Sequence, residues 1–363
     1  MATLNDDTAD ATKVTLSDQA FKIQLPTLVL GATCTKDGKT IYASCVDGVY
    51  RVNTDDKSHE KLYSHDSYAS GAVYSEQHNL LITAGYDGNL IWYDLAKKEI
   101  IRKIPAHNFW SWKMAISSNH SMVASVSGQY LAGDFDYRPK PADEPTVKVY
   151  DTQTGQCLHA FDHLPSVQSV AFSHDGKHLA AGNLMGGIRV WDLETGELAA
   201  DWTDEGFTSW GIIKSHCYIG GIYGLDFTRD NTDVLATGFG PMRDPMAGNG
   251  KQLWQRWRWN QDVPEKVAEK QQGSGLMESI QMHTSEEFFV MAGRLRDGDA
   301  NISLFSTATN ERIAHAKVGF RITEAIFPHE NAKLIVVGGS GQPRNADGNF
   351  PNWGHIHIYE LTF

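Results

Sequence analysis

Residues 163–192 read His163-Leu-Pro-Ser-Val-Gln-Ser-Val-Ala-Phe-Ser-His-Asp-Gly-Lys-His-Leu-Ala-Ala-Gly-Asn-Leu-Met-Gly-Gly-Ile-Arg-Val-Trp191-Asp192. Three short runs of strand character lie here, Ser166–Phe172, Lys177–Ala181 and Gly187–Trp191. His174-Asp175-Gly176 separates the first pair and Met185-Gly186-Gly187 the second. Asp-Gly and Gly-Gly between apolar runs are hairpin signals, because their backbones reach the turn conformations that match strand twist. A fourth run, Glu197–Trp202, follows Thr195-Gly196. The stretch therefore predicts a four-stranded antiparallel meander.

Sliding this unit along the chain gives seven copies. Their first strands are Leu28–Cys34, Ala69–Tyr74, Ser111–Ile116, Val167–Phe172, Ile222–Phe227, Met277–Met282 and Ile322–Phe327. Their third strands end at Val52, Tyr93, Tyr150, Trp191, Trp254, Phe305 and Tyr359, six of them aromatic. Four strands repeated every ~40–60 residues predict an all-β, seven-bladed propeller. Residues 1–18 are polar and acidic and read as a disordered tail, leaving 19–363 as a single propeller domain. The chain ends inside a third strand. The lone run Phe21–Leu25 is expected to complete the last blade and close the ring.

A second regularity is polar. His65 to Thr83, His107 to Ser125 and His163 to Ala181 are each 18 residues apart. A loop imidazole at a fixed offset from a small strand residue predicts a recurring hydrogen bond, relayed by the hydroxyl to the third-strand aromatic. At this point the chain resembles the WD40-repeat family. The network residues are His65, Thr83 and Asp87 in the second copy, His107 and Ser125 in the third, and His163, Trp191 and Asp192 in the fourth. Tyr93-Asp94 and Tyr150-Asp151 stand where the fourth copy has Trp-Asp. The fourth copy carries Ala181 and Met185 in place of the hydroxyl and carboxylate. The resemblance implies the propeller fold and a role in recognition.

Charge and composition bound the partners. A net charge of −12 opposes a nucleic-acid partner, whose phosphates demand a basic footprint. No apolar run is long enough for a membrane span, and no signal peptide precedes the repeats, so a cytoplasmic location is expected. The four cysteines, Cys34, Cys45, Cys157 and Cys217, are scattered and read as reduced. No nucleophile-elbow, phosphate-loop or zinc-protease motif is present. His355 and His357 share one strand face, but two ligands do not make a zinc site. Neither metal nor cofactor nor catalytic residue is expected.

The inserts are where function would lie. Extra residues fall between second and third strands in the third, fifth, sixth and seventh copies and before the fifth copy, so they emerge on one face. They carry Phe135, Trp210, Tyr218, Arg243, Arg294 and Trp353. Aromatics and Arg anchor interfaces. Counting back along the first strands places Trp112, Tyr223 and Glu278 at the channel mouth on that face, with Trp110 and Arg321 nearby. Two functions remain open. One is a non-catalytic scaffold binding a protein or peptide. The other is a pocket at the channel mouth for a small molecule or sugar, with or without chemistry.

Overall fold

Turn residues cut the chain where hairpins need them: Gly176 and Gly186 adopt φ of 72° and 79°, a left-handed backbone that costs other residues strain. The computed structural model describes residues 14–128, 142–209, 219–241, 250–330, 332–340 and 353–363. Among these it holds no α-helix, only a short 3-10 turn at Glu205–Phe207.

The strands in chain order begin with β1 (Thr15–Leu16) and β2 (Phe21–Leu25). Blade one is β3 (Val29–Cys34), β4 (Thr40–Cys45), β5 (Gly48–Asn53) and β6 (His59–Tyr63). Blade two is β7 (Ala69–Ser75), β8 (Leu80–Gly85), β9 (Asn89–Asp94) and β10 (Glu99–Pro105). Blade three is β11 (Ser111–Ile116), β12 (Met122–Ser127), β13 (Val147–Asp151) and β14 (Cys157–Phe161). Blade four is β15 (Val167–Phe172), β16 (His178–Asn183), β17 (Gly187–Asp192) and β18 (Leu198–Thr203). Blade five adds β19 (Thr208–Ser209) to β20 (Ile219–Phe227), β21 (Asp233–Phe239), β22 (Lys251–Arg258) and β23 (Glu265–Ser274). Blade six is β24 (Met277–Met282), β25 (Phe288–Gly293), β26 (Ile302–Ser306) and β27 (Arg312–Ala316). Blade seven is β28 (Arg321–Ile326), β29 (Lys333–Gly339) and β30 (Gly354–Thr362).

The expected seven-bladed propeller is therefore the fold, with every pairing antiparallel. Closure follows the expected route. β2 lies along β30 with Phe21 opposite Ile358 and Leu25 opposite Gly354. One boundary moves. Residues 14–18 were expected to belong to the tail, but Thr15–Leu16 pairs with Leu361–Thr362, and Val14 is 2% exposed. Val14 packs in the seam between blades six and seven, and that burial holds the segment on the disc.

A second correction concerns blade five. The second residue of each second strand faces the third-strand end residue: Leu81 faces Tyr93, Leu179 faces Trp191, Phe289 faces Phe305. In blade five Val234 faces Trp257, so Trp257 and not Trp254 is the equivalent residue. β22 is simply longer, and both tryptophans satisfy an aromatic search. Trp254 lies instead in the seam against blade six, edge-on to Phe289.

The core is a ring of seams between neighbouring blades. Blades one and two bury Tyr42, Val49, Leu81 and Tyr93 together. Blades four and five bury Val190, Phe207, Ile222 and Phe227. The closing seam unites Ile23 and Leu25 of β2 with Val29, Ile41, Ile335 and Ile356. Side-chain hydroxyls stitch the inner edges: Ser44 donates to Gly71 O (2.9 Å), Ser70 to Ser111 O (2.7 Å), Ser169 to Ile222 O (2.9 Å) and Thr323 to Val29 O (2.9 Å). With Ser279 Oγ of β24 donating to Ala325 O (3.4 Å), each inner strand hands one bond to the next blade or receives one, fixing how closely the blades approach.

Candidate functional site

Every inner hairpin carries a register shift at the same place. The shifts fall between Val29 and Gly31, Ala69 and Gly71, Ser111 and Lys113, and Val167 and Ser169. They recur between Ile222 and Gly224, Met277 and Ser279, and Ile322 and Glu324. The extra residues are Leu30, Ser70, Trp112, Gln168, Tyr223, Glu278 and Thr323. A bulge frees one residue from the ladder and re-aims its side chain. These are the positions that counting back along the strands places at the channel mouth.

Their roles divide. Ser70 and Thr323 are spent on the blade-to-blade bonds above, and Gln168 Nε2 donates to Ser166 Oγ (2.7 Å). Trp112, Tyr223 and Glu278 join a cluster over the mouth. Tyr86 stacks on Trp110 with ring centroids 4.7 Å apart and planes at 8°. Trp112 stands edge-on to both, at 5.4 Å from each, and donates Nε1 to Gly128 O (3.3 Å). Phe109 and Tyr68 extend the stack, 5.0 Å from Trp110 and 5.7 Å from Tyr86. Trp110 keeps 41% of its surface exposed.

An ion pair lies beside the aromatics. Arg321 donates Nε to Glu278 Oε1 (2.6 Å) and Nη2 to Oε2 (2.7 Å), a fork geometry that orients both groups. The Glu278 side chain is 6% exposed and that of Arg321 41%, so one face of the guanidinium meets solvent. Glu278 holds the Arg321 pKa well above its usual range. Burial, with Glu278 second, pushes the Tyr223 phenol up to about 12. Tyr86 is also raised, by burial, although Arg321 pulls it down. The mouth thus joins side chains of blades two, three, five, six and seven, with the charges of the Arg–Glu pair acting on the Tyr86 and Tyr223 phenols.

The histidine positions form local networks. His65 Nε2 is 2.9 Å from Thr83 Oγ1 and its Nδ1 is 3.1 Å from Asp87 Oδ1. Despite burial, bonds from His65 and Asn89 hold the Asp87 carboxyl well below its usual range. An ionised Asp87 accepts only, so His65 Nδ1 donates to it. The expected relay to the third-strand aromatic is not made. Thr83 instead meets the Tyr63 hydroxyl at 3.0 Å, and Tyr63, from the outer strand of blade one, stacks on Tyr93 at 4.9 Å. Tyr63 stands between Thr83 and Tyr93, which is why the relay stops there. His107 Nε2 lies 2.9 Å from Ser125 Oγ, which lies 2.8 Å from Ser111 Oγ. His163, opposite Ala181 rather than a hydroxyl, packs edge-on to Trp191 at 6.1 Å, and Trp191 stacks on Phe161 at 4.9 Å. Asp192 caps its turn, accepting from Glu194 N (2.9 Å) and Thr195 N (2.8 Å). Asp94 and Asp151 cap theirs the same way.

Among the other expected binding residues, Arg294 is exposed in the β25–β26 connection and Trp353 is half-buried just before β30. Trp353 O accepts from Ser340 N (3.1 Å), which pins the base of that insert. Phe135, Trp210, Tyr218 and Arg243 lie outside the described residues. The β12–β13, β21–β22, β25–β26 and β29–β30 connections and the path from β18 to β20 all open where inner strands begin.

Sequence reasoning missed the other end of the channel. A cavity of about 590 Å³ opens on the opposite face, walled by the later halves of the inner strands. Its roof is the pair Lys113–Glu324, 2.6 Å apart, with Lys113 Nζ also donating to Thr323 O (2.9 Å). Its rim is made of the short turns after the inner strands, with Lys36, Glu76, His120, His174, Arg229 and His329. Those residues read in sequence as ordinary solvated turns. Among the described residues, no three His, Cys, Asp or Glu side chains gather as a metal ion would require. No helix among them is long and apolar enough to cross a membrane.

Comparison with known proteins agrees with this geometry. The family described as WD domain, G-beta repeat matches residues 155–192, the stretch holding His163, Trp191 and Asp192. The chain is 22% identical over 202 residues to autophagy-related protein 16 of Arabidopsis thaliana, covering 45% of this chain and 40% of that one. It is 27% identical over 166 residues to apoptotic protease-activating factor 1 of Rattus norvegicus, covering 45% of this chain and 12% of the other. It is 27% identical over 150 residues to small ribosomal subunit protein RACK1y of Oryza sativa subsp. japonica, covering 39% of each. The chain thus spans less than half the length of these curated relatives. With one repeat matched directly and seven four-stranded blades in a ring, the chain is similar to the WD40-repeat family in both sequence and fold.

Proposed function

We propose that this propeller is a non-catalytic platform that binds a protein or peptide segment on its insert-bearing face, with the channel mouth as anchor. The observation that carries the reading is the Tyr86–Trp110–Trp112 stack beside the Arg321–Glu278 pair, at the end of the inner strands where the β25–β26 connection also opens. Exposed, rigid aromatics next to an oriented guanidinium are what peptide anchors use: large contact area at low entropic cost, with a fixed donor for a carbonyl or carboxylate. Subunit-type relatives support it, since one of them is by name a protein of the small ribosomal subunit. A partner other than nucleic acid fits the net charge of −12.

The test is affinity capture with the wild-type chain and with the double variant Trp110→Ser/Arg294→Glu. Both residues are exposed, so folding should be kept and a thermal melt will verify it. Loss of the wild-type partner with an unchanged melt supports the reading. Undiminished recovery of that partner sinks it.

A further inference from the structure

The cavity on the opposite face has one charged lining residue, Arg229, with no carboxylate partner and with a buried donor left unpartnered. Lys36 is paired with Glu76 at 2.9 Å and Lys113 with Glu324 at 2.6 Å. Asp226 accepts at both oxygens from backbone amides, Oδ1 from Phe227 N (2.9 Å) and Oδ2 from Met282 N (2.7 Å). Arg229 has no such partner. Its Nη1 lies 3.5 Å from His174 Nδ1, and its Nε is buried with no hydrogen bond to the protein. His174 is locked in place, its Nε2 donating to Phe227 O (3.0 Å). On the neighbouring rim His120 Nδ1 is buried and equally unpartnered. Buried donors without acceptors are rare in folded proteins and mark sites where something else accepts.

We propose that this cavity binds a small phosphorylated molecule, its phosphate received by Arg229 and the rim histidines His120 and His329, and its body held by the apolar walls below the Lys113–Glu324 roof. Arg229, His120 and His329 come from the turns of blades five, three and seven, so they converge on the axis from separate directions. Donors converging from several sides suit a tetrahedral anion with three free oxygens better than a planar carboxylate. Burial, and then the positive charge of Arg229 and Lys36, holds the His329 imidazole below its usual range. The volume of about 590 Å³ falls in the range of small-ligand pockets. The walls beneath the rim, Ile116, Phe172, Met282 and Ile326, supply apolar contact.

Isothermal titration calorimetry of the full chain with inorganic phosphate, and separately with acetate, tests this. The expected result is phosphate binding below millimolar, acetate at least tenfold weaker. Arg229→Gln weakens phosphate tenfold or more, and His329→Gln, at the rim, weakens it a few-fold with an unchanged melt. Trp110→Ser leaves phosphate binding unaltered, which separates this site from the insert-bearing face. No phosphate binding at millimolar concentration, acetate binding equal to phosphate, or an Arg229→Gln variant that binds as well as wild type each overturn the proposal.

Discussion

Lys113 of blade three and Glu324 of blade seven meet across the central channel at 2.6 Å, although two blades separate them on one side of the ring and three on the other. Their side chains are 19% and 27% exposed, so the pair is largely desolvated. At the same place in the other inner strands, blades one, two and five carry Gly31, Gly71 and Gly224, so no other long side chain from those blades competes for the crossing. Removing one partner leaves a charge facing a low-dielectric channel. Glu324→Gln should therefore lower stability by about 2 kcal/mol, and Lys113→Met/Glu324→Met should recover most of that loss, because an apolar pair carries no desolvation cost. Urea midpoints of the three proteins check this, and a Glu324→Gln midpoint equal to wild type would remove the pair from any structural role.

Acid should weaken the ring through its loop histidines. Burial pushes both His107 and His163 down to about 3 from an ordinary value near 6.5. The unfolded chain then binds protons that the folded one refuses. Their contribution is complete above pH ~6.5 and is lost as pH falls from there toward the folded values, by about 1.4 kcal/mol per histidine per pH unit. Thermal melts between pH 7.5 and 5 should show this slope. His107→Gln should flatten it, as should His163→Phe, which keeps the ring against Trp191. Equal slopes in wild type and both variants would contradict the burial argument.

The repeat was readable because alternation and Asp-Gly or Gly-Gly turns recur with little change, and the channel-mouth residues because the bulge sits at one fixed place in every inner strand. What escaped has physical reasons. Trp254 and Trp257 both fit an aromatic end position, and only strand pairing separates them. The partner of Thr83 is Tyr63 from the preceding blade, a contact between sheets that no spacing within one repeat encodes. The opposite cavity is lined by small and apolar strand residues that look like any seam, and its rim residues sit in turns only a few residues long. Convergence on an axis is a property of the ring, not of one repeat.

Closure of the ring rests on two side chains of β2. Ile23 is 3% and Leu25 1% exposed, both in the seam between blades seven and one, while Phe21, at the start of the same strand face, is 38% exposed. Ile23→Ala should cost about 3 kcal/mol from lost burial and the cavity left behind, and Phe21→Ala under about 1 kcal/mol. Deleting residues 14–26 removes the whole outer edge and should expose β30 to pairing with other chains. Differential scanning calorimetry and light scattering read both effects. A deletion variant that melts with wild type and stays monodisperse would show that the ring does not need this strand.

The approach of blades one and two is set by a glycine. A Cβ at Gly31 would lie 2.6 Å from Ser70 O and 3.0 Å from Gly71 Cα, both backbone atoms that no rotamer change can move aside. Gly31→Ala must therefore push the blades apart, at about 1–3 kcal/mol, the usual cost of overpacking. It should also disturb the adjacent bond from Ser44 to Gly71 O. Gly319, in the connection before β28, meets nothing within 4 Å, and Gly319→Ala should be neutral or slightly stabilising by restricting the unfolded chain. Denaturation curves for the two variants measured side by side test the contrast. Equal stability of Gly31→Ala and wild type would mean that the inner edges of these blades have slack, and that hydroxyl bonds rather than steric contact set their spacing.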